Sequence, residues 1–225
     1  ATDDVGNAFA AASWFPRPAD PVASSSFVQQ SSGTTALTVP ASVVAGNLLV
    51  AFMGGSNPDV TAPSGWQLLR ADALATPEVY TKVYWRIATP TDAGSTHTWA
   101  SGSSTYSSGA VMVAYRGVDQ ATPFDAHAGQ PYATSTNLVA PSLSTTVDET
   151  RLVAFHFHEA GSDSANEITP AAGMTEIFEG HSPSRTIEVA DEPVPTASVT
   201  GSRTATASSA DDGIVVTVAI RPGPP

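Results

Sequence analysis

The segment NLLVAF at 47–52 returns as TRLVAF at 150–155, and APSGWQLLRAD at 62–72 is echoed by TPAAGMTEIFEG at 169–180. A third stretch, SGAVMVAYR at 108–116, returns as DGIVVTVAIR at 212–221. Three successive echoes at a nearly constant separation of about a hundred residues describe a duplicated unit, because solenoid repeats are far shorter, about 20 to 50 residues. A chain built this way folds as tandem sandwiches or as one larger sandwich to which both halves contribute. The join at 119–134, DQATPFDAHAGQPYAT, is not a long flexible linker. Each half offers only about six strands, which favours one larger sandwich.

The echoing segments read as strands. In VYTKVYWRIA, Val79, Thr81, Val83, Trp85 and Ile87 alternate with Tyr80, Lys82, Tyr84 and Arg86, the period of a sheet with one core face and one wet face. Similar runs bounded by Gly, Pro, Asn, Asp or Ser clusters predict strands near 27–31, 35–39, 47–54, 66–71, 79–88, 95–100 and 109–116 in the first half. In the second they fall near 135–139, 151–158, 174–179, 185–190, 199–207 and 213–221. Little reads as helix, and the spacing predicts an all-β, antiparallel, jelly-roll-like sandwich of two repeated halves.

Composition narrows the function classes. Hydrophobic residues are 41% of the 225 and charged residues 13%, which describes a chain with a real core. A net charge of -12, a pI near 4.5 and Lys82 as the one lysine argue against nucleic acid, whose binders need clustered cations. With no cysteine, disulfides, thiolate metal sites and a Cys nucleophile are excluded. Nothing approaches the roughly 18 consecutive apolar residues of a membrane-spanning helix. A first residue of Ala1 fits removal of a leader.

AGNLLVAF, APSGWQLL, VYWRIA, VAYRGVD and VVTVAIRPGP resemble a family of Ala/Ser/Thr-rich β-sandwich domains found in secreted proteins of high-GC bacteria and in virion or tail proteins of their phages. The resemblance covers about residues 27–222. It implies a surface or virion module, and brings no functional residues with it.

Chemical candidates must come from the residues themselves. His156 and His158 in HFHE share one face of a strand and could ligate zinc, with His181 or Glu159 as further ligands; the plainer reading is two solvent-facing histidines. GHSPS at 180–184 misses the nucleophile elbow, since Ser184 stands where a Gly is needed. The carboxylate pairs Asp3–Asp4, Asp191–Glu192 and Asp211–Asp212 read as turn residues. Asp163, Asn166 and Glu167 offer calcium-type oxygens without the spacing of a defined loop. Neither a metal nor a cofactor is therefore expected. Trp66, Trp85 and Trp99 read as core. Tyr80, Lys82, Tyr84 and Arg86 form the candidate ligand face, either a glycan platform or an assembly contact, unless a second sheet covers them.

The chain thus reads as three segments: an extended arm at 1–25, a sandwich at 26–222 with halves near 26–119 and 126–222, and a short tail at 223–225. The arm carries Phe9, Trp14 and Phe15 on a proline-rich stem suited to docking on a neighbouring subunit. The expected function is a non-enzymatic structural protein of an extracellular or virion surface, a phage component or cell-surface filament subunit. Its expected partners are copies of itself or other surface proteins. The alternative is a carbohydrate-binding adhesion module recognising a surface glycan.

Overall fold

A computed structural model describes residues 19–30, 34–56, 59–75, 78–101, 108–159, 166–182 and 184–224. In the first half the strands are β1 (Asp20–Gln30), β2 (Thr34–Thr38), β3 (Leu48–Gly55), β4 (Val60–Thr61), β5 (Gln67–Leu74), β6 (Val79–Ile87), β7 (Thr96–Ser101) and β8 (Ser108–Arg116). The second half has β9 (Phe124–Ala140), β10 (Thr150–Glu159), β11 (Ile168–Thr169), β12 (Thr175–Ser182), β13 (Arg185–Val194) and β14 (Arg203–Ile220). All pairings among them are antiparallel.

The first half forms a five-stranded sheet in the order β1-β8-β3-β6-β5 and a three-stranded sheet in the order β2-β7-β4. This is close to the two-sheet interleaving of a jelly roll, with β5 moved onto the larger sheet. The second half runs β14-β10-β13-β12 where the first runs β8-β3-β6-β5, with β9 on β14 as β1 is on β8. Single long strands do the work of pairs here. The end of β9 meets the start of β14 at Asn137–Ala140 and Arg203–Thr206, and the rest of β14 pairs β9 again beyond an irregularity between Thr206 and Gly213. Even the irregularities correspond: β5 is bulged between Leu68 and Arg70 against β6, and β12 between Glu176 and Phe178 against β13. Ahead of these strands, Gly65 and Gly173 each take a positive φ, 85° and 92°, which closes a tight turn that a side chain would strain.

The alternation along the strands sorts side chains into layers. On β3, Leu48, Val50 and Phe52 face one way and Leu49, Ala51 and Met53 the other, and both sets are buried. The first set meets Val153, Phe155 and Phe157 of β10, with Ile187, Val189, Ile214, Val216 and Val218, in a core shared by the two large sheets. Phe52 and Phe155 stack there with centroids 5.1 Å apart. The second set meets Leu37, Trp66, Tyr84 and Trp99 beneath the three-stranded sheet. The second half has its own counterpart interior of Leu138, Ala154, Ile168, Ala190, Ala205 and Val215. The expected antiparallel sandwich is therefore present: the described strands form three sheets, with a core shared by the two large ones and a further interior on the far side of each.

Shape complementarity makes that join directional. Gly54 stands at the β3 position that Phe157 occupies on β10, and a Cβ on Gly54 would fall inside the Phe157 ring. Phe157 thus fills a pit that only glycine leaves open. The two similar strand ends also meet: Val118 bridges Pro222, and the Gly223 N–H donates to the Gly117 carbonyl at 2.7 Å. Gly223, read as part of the tail, is in this way tied to the middle of the chain.

Strand bounds differ from expectation where the sequence is poor in apolar alternation. Residues 20–25, assigned to the arm, are the first part of β1, and 124–134, assigned to the join, begin β9. Both strands contain a proline, Pro21 and Pro131. Edge positions tolerate proline because its missing N–H faces away from the ladder.

Candidate functional site

The expected ligand face of β6 is partly covered: Tyr84 is buried, while Tyr80, Lys82 and Arg86 are half-buried. Tyr84 is 5% exposed, packs 6.3 Å from Trp99 between ring centroids, and donates its hydroxyl to the Val60 carbonyl at 2.8 Å. Lys82 Nζ donates to the same carbonyl at 3.1 Å. Arg86 pairs with Asp92 at 3.1 Å and lies 6.0 Å from the Trp66 ring centroid. Tyr80 is half-buried. The three-stranded sheet covers this side, which corrects the reading of one wet face on β6. Trp66 and Trp99 lie in that interior, edge to face at 4.9 Å.

The electrostatics of this cluster follow from its burial. Burial pushes the Tyr84 hydroxyl above its ordinary value. It would also raise Asp92, but hydrogen bonds from the Thr89 N–H and hydroxyl, with Arg86 beside them, outweigh it and hold the carboxyl below 3.8. His97, 3.3 Å from Asp92, is held below its ordinary value by burial first and Arg86 second.

His156 and His158 are buried, 1% and 0% exposed, so the solvent-facing reading is corrected as well. They sit on the β10 face turned into the second half's own interior. His156 Nδ1 pairs with Glu188 Oε2 across to β13, and Glu188 is fully buried. His158 lies between the Tyr132 hydroxyl at 2.8 Å and the Ser209 carbonyl at 3.1 Å. Burial lowers His158 from its ordinary value. Burial and the nearby Asp211 and Asp212 raise Tyr132 well above 10.0. The further ligands envisaged are occupied elsewhere: Glu159 pairs with Arg185 at 2.9 Å, and His181 lies 3.1 Å from the Asn166 carbonyl. Among the described residues no group of three or more His, Asp or Glu is arranged to hold a metal.

The remaining candidates are dispersed. Gly180 to Ser184 lies where β12 hands over to β13, a hairpin rather than the strand-to-helix turn of a nucleophile elbow. Asp191 and Glu192 are in β13, not in a turn. Asp191 accepts from Tyr115 at 3.1 Å and pairs with Arg151 at 3.2 Å, while Glu192 pairs with Arg203 at 2.6 Å. Asp211 and Asp212 fall in the irregular stretch of β14, where Asp212 accepts the Thr134 N–H at 2.8 Å. Asn166 is buried, its side-chain oxygen accepting from Ser208 and the Ser209 N–H, and Glu167 is exposed. Asp163, Asp3, Asp4 and the arm residues Phe9, Trp14 and Phe15 lie outside the described residues.

What the sequence reading missed is the second buried face. Glu188 alternates with Ile187 and Val189, a pattern that reads as a wet residue unless another layer lies beyond it. The cluster Tyr115–Asp191–Arg151 joins the two halves through residues far apart in sequence. No family model, curated protein or solved structure matches the chain.

Proposed function

We propose that this chain is a non-enzymatic structural module that builds or decorates an extracellular or virion surface and associates with copies of itself through its N-terminal arm and sheet edges. The carrying observation is the packing of the two large sheets, one from each half, across a shared core, with Phe52 stacked on Phe155 and Phe157 seated against Gly54. Such a body is a rigid spacer, and its candidate reactive side chains serve as internal struts. The net charge of -12 fits a solvated exterior that resists nonspecific adhesion. Association then depends on particular contacts.

The arm is the natural connector, because β1 begins at Asp20 as an edge strand and the segment before it carries Phe9, Trp14 and Phe15. Deleting residues 1–18 leaves β1 whole. Light scattering behind size exclusion, with electron microscopy, should show the full chain associating and the deletion dispersing into folded monomers. A full chain that stays monomeric at high concentration would overturn self-assembly, and association unchanged by the deletion would move the contact to the sandwich. The glycan reading loses its expected platform on β6, where Tyr84 is buried.

A further inference from the structure

The pseudo-symmetry between the halves breaks at one place on the rim of the shared core. Asp191 on β13 corresponds to Trp85 on β6: each is two residues past the valine, Val189 or Val83, that pairs with the strand-central phenylalanine. Asp191 is sealed, 2% exposed and held by Tyr115 and Arg151. Trp85 is only partly buried and lines an open cleft of about 500 Å³ with Leu69, Thr122, Phe124 and His127. Its ring meets Phe124 edge to face at 5.7 Å, and both rings line the cleft.

The polar rim is equally ordered. Asp72 grips Arg70 with bonds of 2.7 and 2.5 Å, and Arg70 Nη1 reaches His127 Nδ1 at 3.0 Å. A guanidinium only donates, so Nδ1 accepts and the imidazole carries its proton on Nε2. His127 is exposed, which leaves that N–H as a donor at the cleft's edge. Partial burial of the ring first, then Arg70, lowers the His127 pKa.

We propose that this cleft binds a neutral saccharide, the sugar stacking on Trp85 with its hydroxyls meeting His127 and Thr122. A partly exposed indole offers the apolar C–H face of a pyranose a flat surface. A few polar groups around an apolar floor are what orients a small ligand: here Asp125 is held by Thr146 and Arg221, and the Thr122 hydroxyl donates to Asp119 at 3.0 Å, so its oxygen accepts while His127 donates. A polyanionic sugar is disfavoured by the chain's net charge of -12. The site is independent of self-assembly, so it stands or falls separately from the structural reading.

The test uses the full chain, titrated with cellohexaose, chitohexaose, mannohexaose and maltohexaose, and read by calorimetry and by the Trp85 indole N–H in NMR spectra. At least one probe should bind saturably and shift the Trp85 indole and His127 signals. Trp85→Leu, which keeps apolar packing at the core edge, should weaken binding at least tenfold, and the exposed His127→Ala severalfold without changing Tm. The proposal is overturned if no probe binds at millimolar concentration, or if binding survives both variants. It is also overturned if a peptide of residues 1–18 shifts these signals while no sugar does, making the cleft the arm's own dock.

Discussion

The two halves share strand order, bulge position and turn, yet fill their interiors with different chemistry. Beneath the three-stranded sheet the first half packs Trp66, Trp99, Tyr84, Met53 and Met112. At matching register the second half holds His156 where the first has Met53, Thr217 where it has Met112, and Glu188 where it has Lys82. Small alanines, at 154, 190, 205 and 207, occupy much of the rest. Alternation, turn and register therefore specify this fold, and the sandwich accepts either an aromatic filling or a hydrogen-bonded polar one. The polar choice is costly, since a buried pair must offset the loss of hydration of both partners. Among the described residues, His156 Nε2 and Glu188 Oε1 find no hydrogen-bond partner.

The comparison breaks most severely at the join. Gly54→Phe places a second ring against Phe157, and the chain should lose its single cooperative melt. Phe157→Ala alone should cost about 3–5 kcal/mol. Combining Gly54→Phe with Phe157→Gly moves the knob to the other half and should recover much of the stability; a combination no better than Gly54→Phe would show that the pit is not what orients the halves.

Next in size is the polar interior. Glu188→Leu strands His156 and should destabilise by about 3–5 kcal/mol, whereas His156→Met with Glu188→Leu replaces the buried pair by apolar side chains and should be neutral or about 1–4 kcal/mol stabilising. Denaturant unfolding decides between them, and an additive outcome would mean that the two side chains do not act as a pair.

Acidity should separate the halves in direction, by less than the substitutions above. Asp92 in the first half has a lowered pKa, so its contribution is complete above 3.8 and is lost as pH falls through the lower folded value. Asp191 in the second half is raised by burial, with Arg151 opposing. Its contribution is complete below 3.8 and is lost as pH rises through the higher folded value. Between pH 7 and 5 the deficit of Asp92→Asn should hold steady, shrinking only below 3.8. Wild type should gain on Asp191→Asn as pH falls through that higher folded value toward 3.8. Parallel pH profiles for the two variants would remove this contrast.

The smallest expected effect is none: with no metal-holding group among the described residues, EDTA should leave Tm unchanged, and a fall of several degrees would place a cation in the second half's polar region.

Most strand cores were legible because Val, Leu, Ile and Phe alternate with a period that only a sheet uses. The strands whose first parts alternation does not mark, β1 and β9, are rich in Ser, Ala, Gly and Pro. The candidate sites were misread for one reason throughout. A strand buried on both faces shows the same alternation as one buried on one face when its second face carries Tyr84, His156 or Glu188, and the covering layer comes from distant residues. Trp85 was read as core and is so only in part, because the cleft depends on how β9 enters beside β5 and β6.

The pit at Gly54 also has a bearing on how the chain reaches this state. Two first halves brought face to face would oppose Gly54 to Gly54 and leave a void; two second halves would drive Phe157 into Phe157. Only the mixed pairing fills the space, so while both large sheets are still uncovered, in a crowded cell or at high refolding concentration, wrong partners are discouraged by shape. A mixed pairing between different molecules is not discouraged, and an exchanged dimer, with each chain's first half seated on the other's second, is the error this architecture leaves open.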